Sequence, residues 1–162
     1  MKKTLVLGVG NLLLGDEGVG VHAIRRQETE ALPGNVDVLD GGTGGFHLLA
    51  LFEEYDPVIL IDATMDGRPP GTVTLTRPRF ASDFPRTLSA HDIGLRDLLE
   101  SAQLLGPLPE LCLVTVSIEN IQPMSMVLSH GVKGSIDEVV RTVRGLLISL
   151  SSRIAGVTEH HI

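Results

Sequence analysis

Tryptophan is absent from this sequence of 162 residues, cysteine occurs once, and aromatic residues make up only 3% of it. So few aromatic faces leave neither a stacking platform for bases nor a shelf for sugars. A single thiol, Cys112, excludes an internal disulfide framework and a cysteine-only metal site, each of which needs several. Any metal must therefore be met by carboxylates and histidines. Basic residues are in deficit too: 13 Lys and Arg against 20 Asp and Glu leave a net charge of −7, without the cationic clusters that bind phosphate. No nucleic-acid partner is expected. The first apolar run, Leu5 to Leu7, stops at Gly8, too short for a signal-peptide core or a membrane span, so a cytoplasmic protein without a membrane partner is expected.

What is present is ample core material: 43% of the residues are apolar, enough for one domain of this length. Short runs rich in Val, Ile and Leu recur as Leu5 to Val9, Val36 to Leu39, Val58 to Ile61 and Leu111 to Ile118, and read as buried strands. Helical patterns lie between them, over Val19 to Ala31, Phe46 to Glu54 and His91 to Leu105. The alternating stretch Gly71 to Thr76, after Arg68, Pro69 and Pro70, suits an antiparallel edge strand. From Ile136 to Leu150 apolar residues recur at three- and four-residue steps, the stripe of a long closing helix in which Gly145 marks close packing. The predicted fold is an α/β three-layer sandwich, a mainly parallel twisted sheet of about five strands with one antiparallel edge strand and helices on both faces. Residues 1–152 form the domain, and 153–162, which lack a pattern, are expected to be a flexible tail that sets aside His160 and His161 as ligands.

The first strand runs into Gly8, Val9, Gly10 and Asn11, and then into Gly15, Asp16, Glu17, Gly18, Val19 and Gly20. A glycine-rich turn there, with Asp40 closing the second strand, suggests a dinucleotide fold. The spacing rejects it, because the third glycine of G-x-G-x-x-G falls on Leu13. The loop carries two adjacent carboxylates instead, which repel a pyrophosphate. Capping of the following helix, favoured by its dipole, accounts well for Asp16. Glu17 divides evenly between that role and a place in a site at the carboxyl edge of the sheet, where open α/β sheets put their ligands.

Asp62 follows the apolar run Val58 to Ile61 and so emerges at the same edge, either in a site or capping the next turn. Ser89 and Asp92 form a capping box that puts His91 in the first turn of a helix, where exposed amides favour the neutral imidazole that binds metal. Two carboxylates and a histidine on one edge make an O/O/N set with open positions for a borderline metal. His22, His47 and His130, the last in a loop before the closing helix, are weaker candidates, and Cys112 reads as core. Ser117, Ser125 and Ser129 have no G-x-S-x-G context for a serine hydrolase.

Taken jointly, several stretches resemble the hydrogenase maturation endopeptidases, small α/β proteases that act on the large subunit of nickel–iron hydrogenases. These are Leu7 to Asn11 followed by Gly15 to Gly20, Leu39 to Thr43, Ile61 to Ala63, Pro70 to Thr72, and Ser89, His91, Gly94 and Leu95. The resemblance spans nearly the whole chain. It implies that Glu17, Asp62 and His91 are the catalytic, metal-contacting positions, and that the loop Asp40, Gly41, Gly42 and Thr43 binds the substrate around its cleavage point. It implies a nickel-loaded precursor as partner, nickel being supplied by that substrate, and removal of a short C-terminal extension; apart from the resemblance, a monomer is expected. Ile118 to Pro123 corresponds to a variable region to which the resemblance attaches no role. Two alternatives share these ligands, a hydrolase with its own resident metal and a nickel-handling accessory without hydrolytic activity.

Overall fold

The computed structural model describes residues 1–43, 45, 47–85 and 95–160, without the side chains of 81 and 154–160. Among the described residues five strands form one sheet in the order β2-β1-β3-β5-β4: β1 (Thr4–Gly8), β2 (Val36–Asp40), β3 (Val58–Thr64), β4 (Val73–Thr76) and β5 (Leu111–Ser117). All neighbours are parallel except β4, which runs antiparallel to β5 with Val73 opposite Val116, as expected for the alternating stretch after the prolines.

Period-two alternation sends successive side chains of each central strand to opposite faces. Val6, Ile59, Ile61, Cys112, Val114 and Val116 pack beneath α1 (Val19–Gln27) and α5 (Ile136–His160). Leu5, Leu7, Leu60, Leu111 and Leu113 pack beneath α2 (His47–Glu54) and α3 (Leu95–Leu105). Helices therefore cover both faces, the three-layer sandwich expected from alternating strand and helix patterns. Among the described residues no helix is long and apolar enough to cross a membrane.

Several local expectations change. Val36 to Leu39 was expected to be buried, but β2 is an edge strand, paired only with β1, and its residues are half-buried to exposed. The strand at Val58 runs on through Asp62 to Thr64, so Asp62 lies inside β3 rather than after it. His130 opens a short helix, α4 (His130–Gly134), instead of sitting in a loop. Beyond Arg153, where the apolar pattern fades, α5 continues as helix to His160. Gly145 is exposed in mid-helix and a Cβ there would meet nothing within 4 Å, which overturns the close packing inferred for it.

Candidate functional site

The carboxyl ends of β1, β3 and β5 converge on one edge, and six of the nine buried polar residues among those described, Asp16, Glu17, Asp62, Thr64, Thr115 and Ser117, belong to it. Asp62 and Thr64 of β3 and Thr115 and Ser117 of β5 stand in register, Asp62 opposite Thr115 and Thr64 opposite Ser117. Counting in twos from Leu60 and Leu113 puts all four on the α2/α3 face. Each is 5% exposed or less. Here the leucine ladder of that face gives way to oxygen atoms.

The loop after β1 delivers the second carboxylate. Gly15–Gly18 form a 3-10 turn that packs against β3 and leads directly into α1. Val9 N–H continues the sheet by donating to the Ile61 carbonyl at 2.9 Å, which holds the start of this loop against the residue before Asp62. Glu17, in the turn, is 1% exposed and Asp62 is 0% exposed. One oxygen of Asp62 accepts the N–H of Ala63 at 2.8 Å. Two buried carboxylates on contacting segments must be compensated by hydrogen bonds, a proton or a cation. Such an arrangement is costly to keep for packing alone.

Asp16, beside Glu17, has a different role from the helix cap expected of it. Its carboxylate accepts the backbone N–H of Ser129 at 2.7 Å and the side-chain N–H of Gln122 at 3.3 Å, so it binds the segment after β5. No side-chain cap hydrogen bond forms at the start of the 3-10 turn or of α1.

The loop from Asp40 to Thr43 lies at the end of β2, on the far side of β1 from β3. It is tied to the first loop by Gly41 N–H to the Gly8 carbonyl at 2.8 Å and Gly10 N–H to the Gly42 carbonyl at 2.7 Å. Asp40 is exposed, and its carboxylate accepts the N–H of Gly42 at 2.7 Å, shaping a tight Asx turn.

Of the predicted trio, Glu17 and Asp62 thus lie on contacting segments, whereas His91 lies outside the described residues, as do Ser89 and Asp92. Among the described residues no group of three His, Cys, Asp or Glu side chains could hold a metal ion. His22 points elsewhere: with Arg26, Met126 and Lys133 it lines a groove of about 510 Å³ beside α1. Its pKa is lowered by burial and by Arg25, against the opposing effects of a hydrogen bond to the Met126 backbone and the charge of Asp16. Cys112 is buried in β5, and burial pushes its thiol pKa up, which suits core packing rather than a nucleophile.

Sequence reasoning missed Thr64, Thr115 and Gln122. The threonines carried a signal, since each interrupts an apolar strand near its carboxyl end. Gln122 carried little, because its partner Asp16 is 106 residues away.

A family model described as hydrogenase maturation protease matches residues 21–145. The chain is 38% identical over 151 residues to the hydrogenase expression/formation protein HupD of Rhodobacter capsulatus, spanning 88% of this chain and 72% of the relative. It is 38% identical over 125 residues to the hydrogenase 2 maturation protease of Escherichia coli K12, spanning 75% and 76%. Among solved structures, the hydrogenase maturating endopeptidase HybD from Escherichia coli superposes with a TM-score of 0.81 at 35% identity, covering 91% of this chain and 93% of that one.

Proposed function

Since this chain belongs to the hydrogenase maturation protease family and is therefore a peptide-bond hydrolase, we propose that it removes a short C-terminal extension from the nickel-loaded precursor of a nickel–iron hydrogenase large subunit. The observation that carries this reading is the pair of buried carboxylates, Glu17 and Asp62, on contacting segments at the carboxyl edge of the sheet. With His91 they form a set of oxygen and nitrogen donors suited to a borderline divalent ion such as nickel.

In this reading nickel arrives bound to the precursor and is part of what the enzyme recognises. Glu17, Asp62 and His91 contact it, and that contact fixes the scissile peptide against the sheet edge, replacing a loose encounter by a defined orientation. Water then adds across the peptide bond, its hydroxyl to the carbonyl carbon and its proton to the departing amine. The loop from Asp40 to Thr43 flanks the peptide. Its small glycines allow close backbone approach, and the exposed Asp40 favours a cationic residue beside the cut. Exposed Leu13, Met65, Met124 and Met126 on the segments around this edge suit a protein substrate more than a small molecule.

The test is to incubate the purified protein with candidate large-subunit precursors, with and without nickel, and to follow loss of the C-terminal peptide by mass. Cleavage is expected only of the nickel-loaded form. Glu17→Gln, Asp62→Asn and His91→Ala should each slow processing by about a hundredfold or more, the scale expected when reacting groups lose their alignment. Wild-type rates in all three would refute the assignment.

A further inference from the structure

Gln122 makes an unusual double contact with one residue. Its side-chain oxygen accepts the backbone N–H of Asp16 at 2.8 Å, and its side-chain N–H donates to the Asp16 carboxylate at 3.3 Å. The amide's acceptor and donor are thus both used on Asp16, the residue whose carbonyl carbon is bonded to the nitrogen of Glu17. The other oxygen of Asp16 is occupied by the N–H of Ser129 at 2.7 Å. With both oxygens engaged and 2% exposure, Asp16 is a structural acceptor.

Backbone bonds extend this clasp. Gly15 N–H donates to the Ser125 carbonyl at 2.7 Å, and Ser125 N–H donates to the Leu13 carbonyl at 3.1 Å, so the segment after β5 is zipped along the loop after β1. Gly15 has a φ of +57°, and a Cβ there would stand 2.3 Å from the Gln122 side-chain oxygen and 2.7 Å from its Cβ. The absent side chain of Gly15 is therefore what lets the amide of Gln122 reach the peptide of Asp16. The 3-10 turn, with no side-chain cap of its own, is held from outside by this amide.

We propose that Gln122 is a positioning residue for the cleavage reaction: by clasping both the backbone N–H and the carboxylate of Asp16, it fixes the 3-10 turn that presents Glu17 to the substrate. This rests on the reading of Glu17 as a substrate-contacting residue. Gln122 itself does not reach the reacting atoms. It acts by keeping the neighbouring carboxylate aligned, so its loss should appear in kcat more than in KM.

The polarity of the clasp supplies a specific test. Gln122→Glu keeps the size but removes the donor and sets one carboxylate against another. Asp16→Asn leaves a donor facing a donor, toward either Gln122 or Ser129. Combined, Asp16→Asn with Gln122→Glu restores every bond with one of them reversed, since the new amide of residue 16 donates to the new carboxylate of residue 122. Processing of the nickel-loaded precursor should fall about tenfold or more in kcat for each single variant, with KM changed by less than about threefold, and the double variant should recover to within about threefold of wild type. Gln122→Met, matched in size but without the amide, should match the loss in Gln122→Glu. It stands in for that variant if melting curves show Gln122→Glu to be unfolded.

Wild-type kcat in Gln122→Met, a defect confined to KM, or a double variant no better than the worse single would overturn the proposal. Glu17→Gln is run in parallel. If it cleaves at the wild-type rate, the site reading falls and this proposal with it. If it is inactive while Gln122→Met is not, only the role of Gln122 is refuted.

Discussion

Replacing Gly20 by alanine sets two physical effects of opposite sign against each other, and the structure decides between them. Gly20 is the second residue of α1. Helix propensity alone favours alanine there by up to about 1 kcal/mol. A Cβ at that position, however, would stand 2.5 Å from the carbonyl oxygens of both Ile61 and Val9, and 3.1 Å from the Val9 nitrogen. Val9 N–H and the Ile61 carbonyl are hydrogen-bonded to each other at 2.9 Å, so the methyl would press on the bond that continues the sheet from β1 to β3.

Ordinary carbon–oxygen contacts begin near about 3.3 Å, so helix and strands must part by roughly 0.8 Å. Overpacking costs about 1–3 kcal/mol, and here the upper part of that range applies because both obstacles are backbone and neither can rotate away. The net is a loss of about 1–2 kcal/mol, or a melting temperature lower by about 2–8 °C for a domain of this size. Gly145→Ala is the matched control, an exposed mid-helix position with open space around it. It should raise the melting temperature by about 2–4 °C through propensity alone. Thermal unfolding followed by circular dichroism measures both. A Gly20→Ala protein melting at or above the wild type would refute the close approach of α1 to the sheet, and with it the placement of the 3-10 turn that precedes this helix.

Two titrations probe other features. Tyr55, the sole tyrosine, donates to the Asp37 carboxylate at 2.6 Å, which pushes its pKa up to about 12. Its near-ultraviolet absorbance should change only at the alkaline extreme, and Asp37→Asn should bring the midpoint down toward the ordinary tyrosine value; an unshifted wild-type titration would contradict the contact. For His22, the imidazole resonances should titrate below the ordinary histidine value, because burial and Arg25 both disfavour its charge. The folded pKa being the lower one, His22 contributes stability that is present above the unfolded value, near about 6.5, and is lost as the pH falls through the folded value. Arg25→Gln should raise the midpoint, and a wild-type midpoint at or above the ordinary value would overturn the assignment.

Much of the fold was legible because its determinants are local. Valine, isoleucine and leucine runs bounded by glycine or polar residues mark the strands, and the three- and four-residue spacing from Ile136 marks α5. Errors fell where a neighbour decides. The run at Val36 has the composition of a buried strand, yet only the order of the sheet makes it an edge. Gly145 and Gly20 look alike in the sequence, each a glycine within a helix, but one faces solvent and the other lies against two carbonyl oxygens.

The candidate site divides in the same way. The sequence by itself determined that acidic residues would stand at the carboxyl edge of a mainly parallel sheet, because Glu17 follows the first apolar run closely and Asp62 directly follows the third. Only the tertiary structure decided what the neighbouring Asp16 binds. Asp16 and Glu17 are adjacent and chemically almost equivalent; in the sequence Asp16 reads as a helix cap and Glu17 as a site candidate, but nothing local announces what Asp16 binds. Their surroundings part when the segment after β5 folds back over the first loop: Gln122 and Ser129 occupy the oxygens of Asp16, and the turn that carries Glu17 packs against β3. The physical reason is distance along the chain. A hydrogen bond spanning 106 residues has no periodicity or spacing to announce it, and it exists only once the sheet has brought its two ends together.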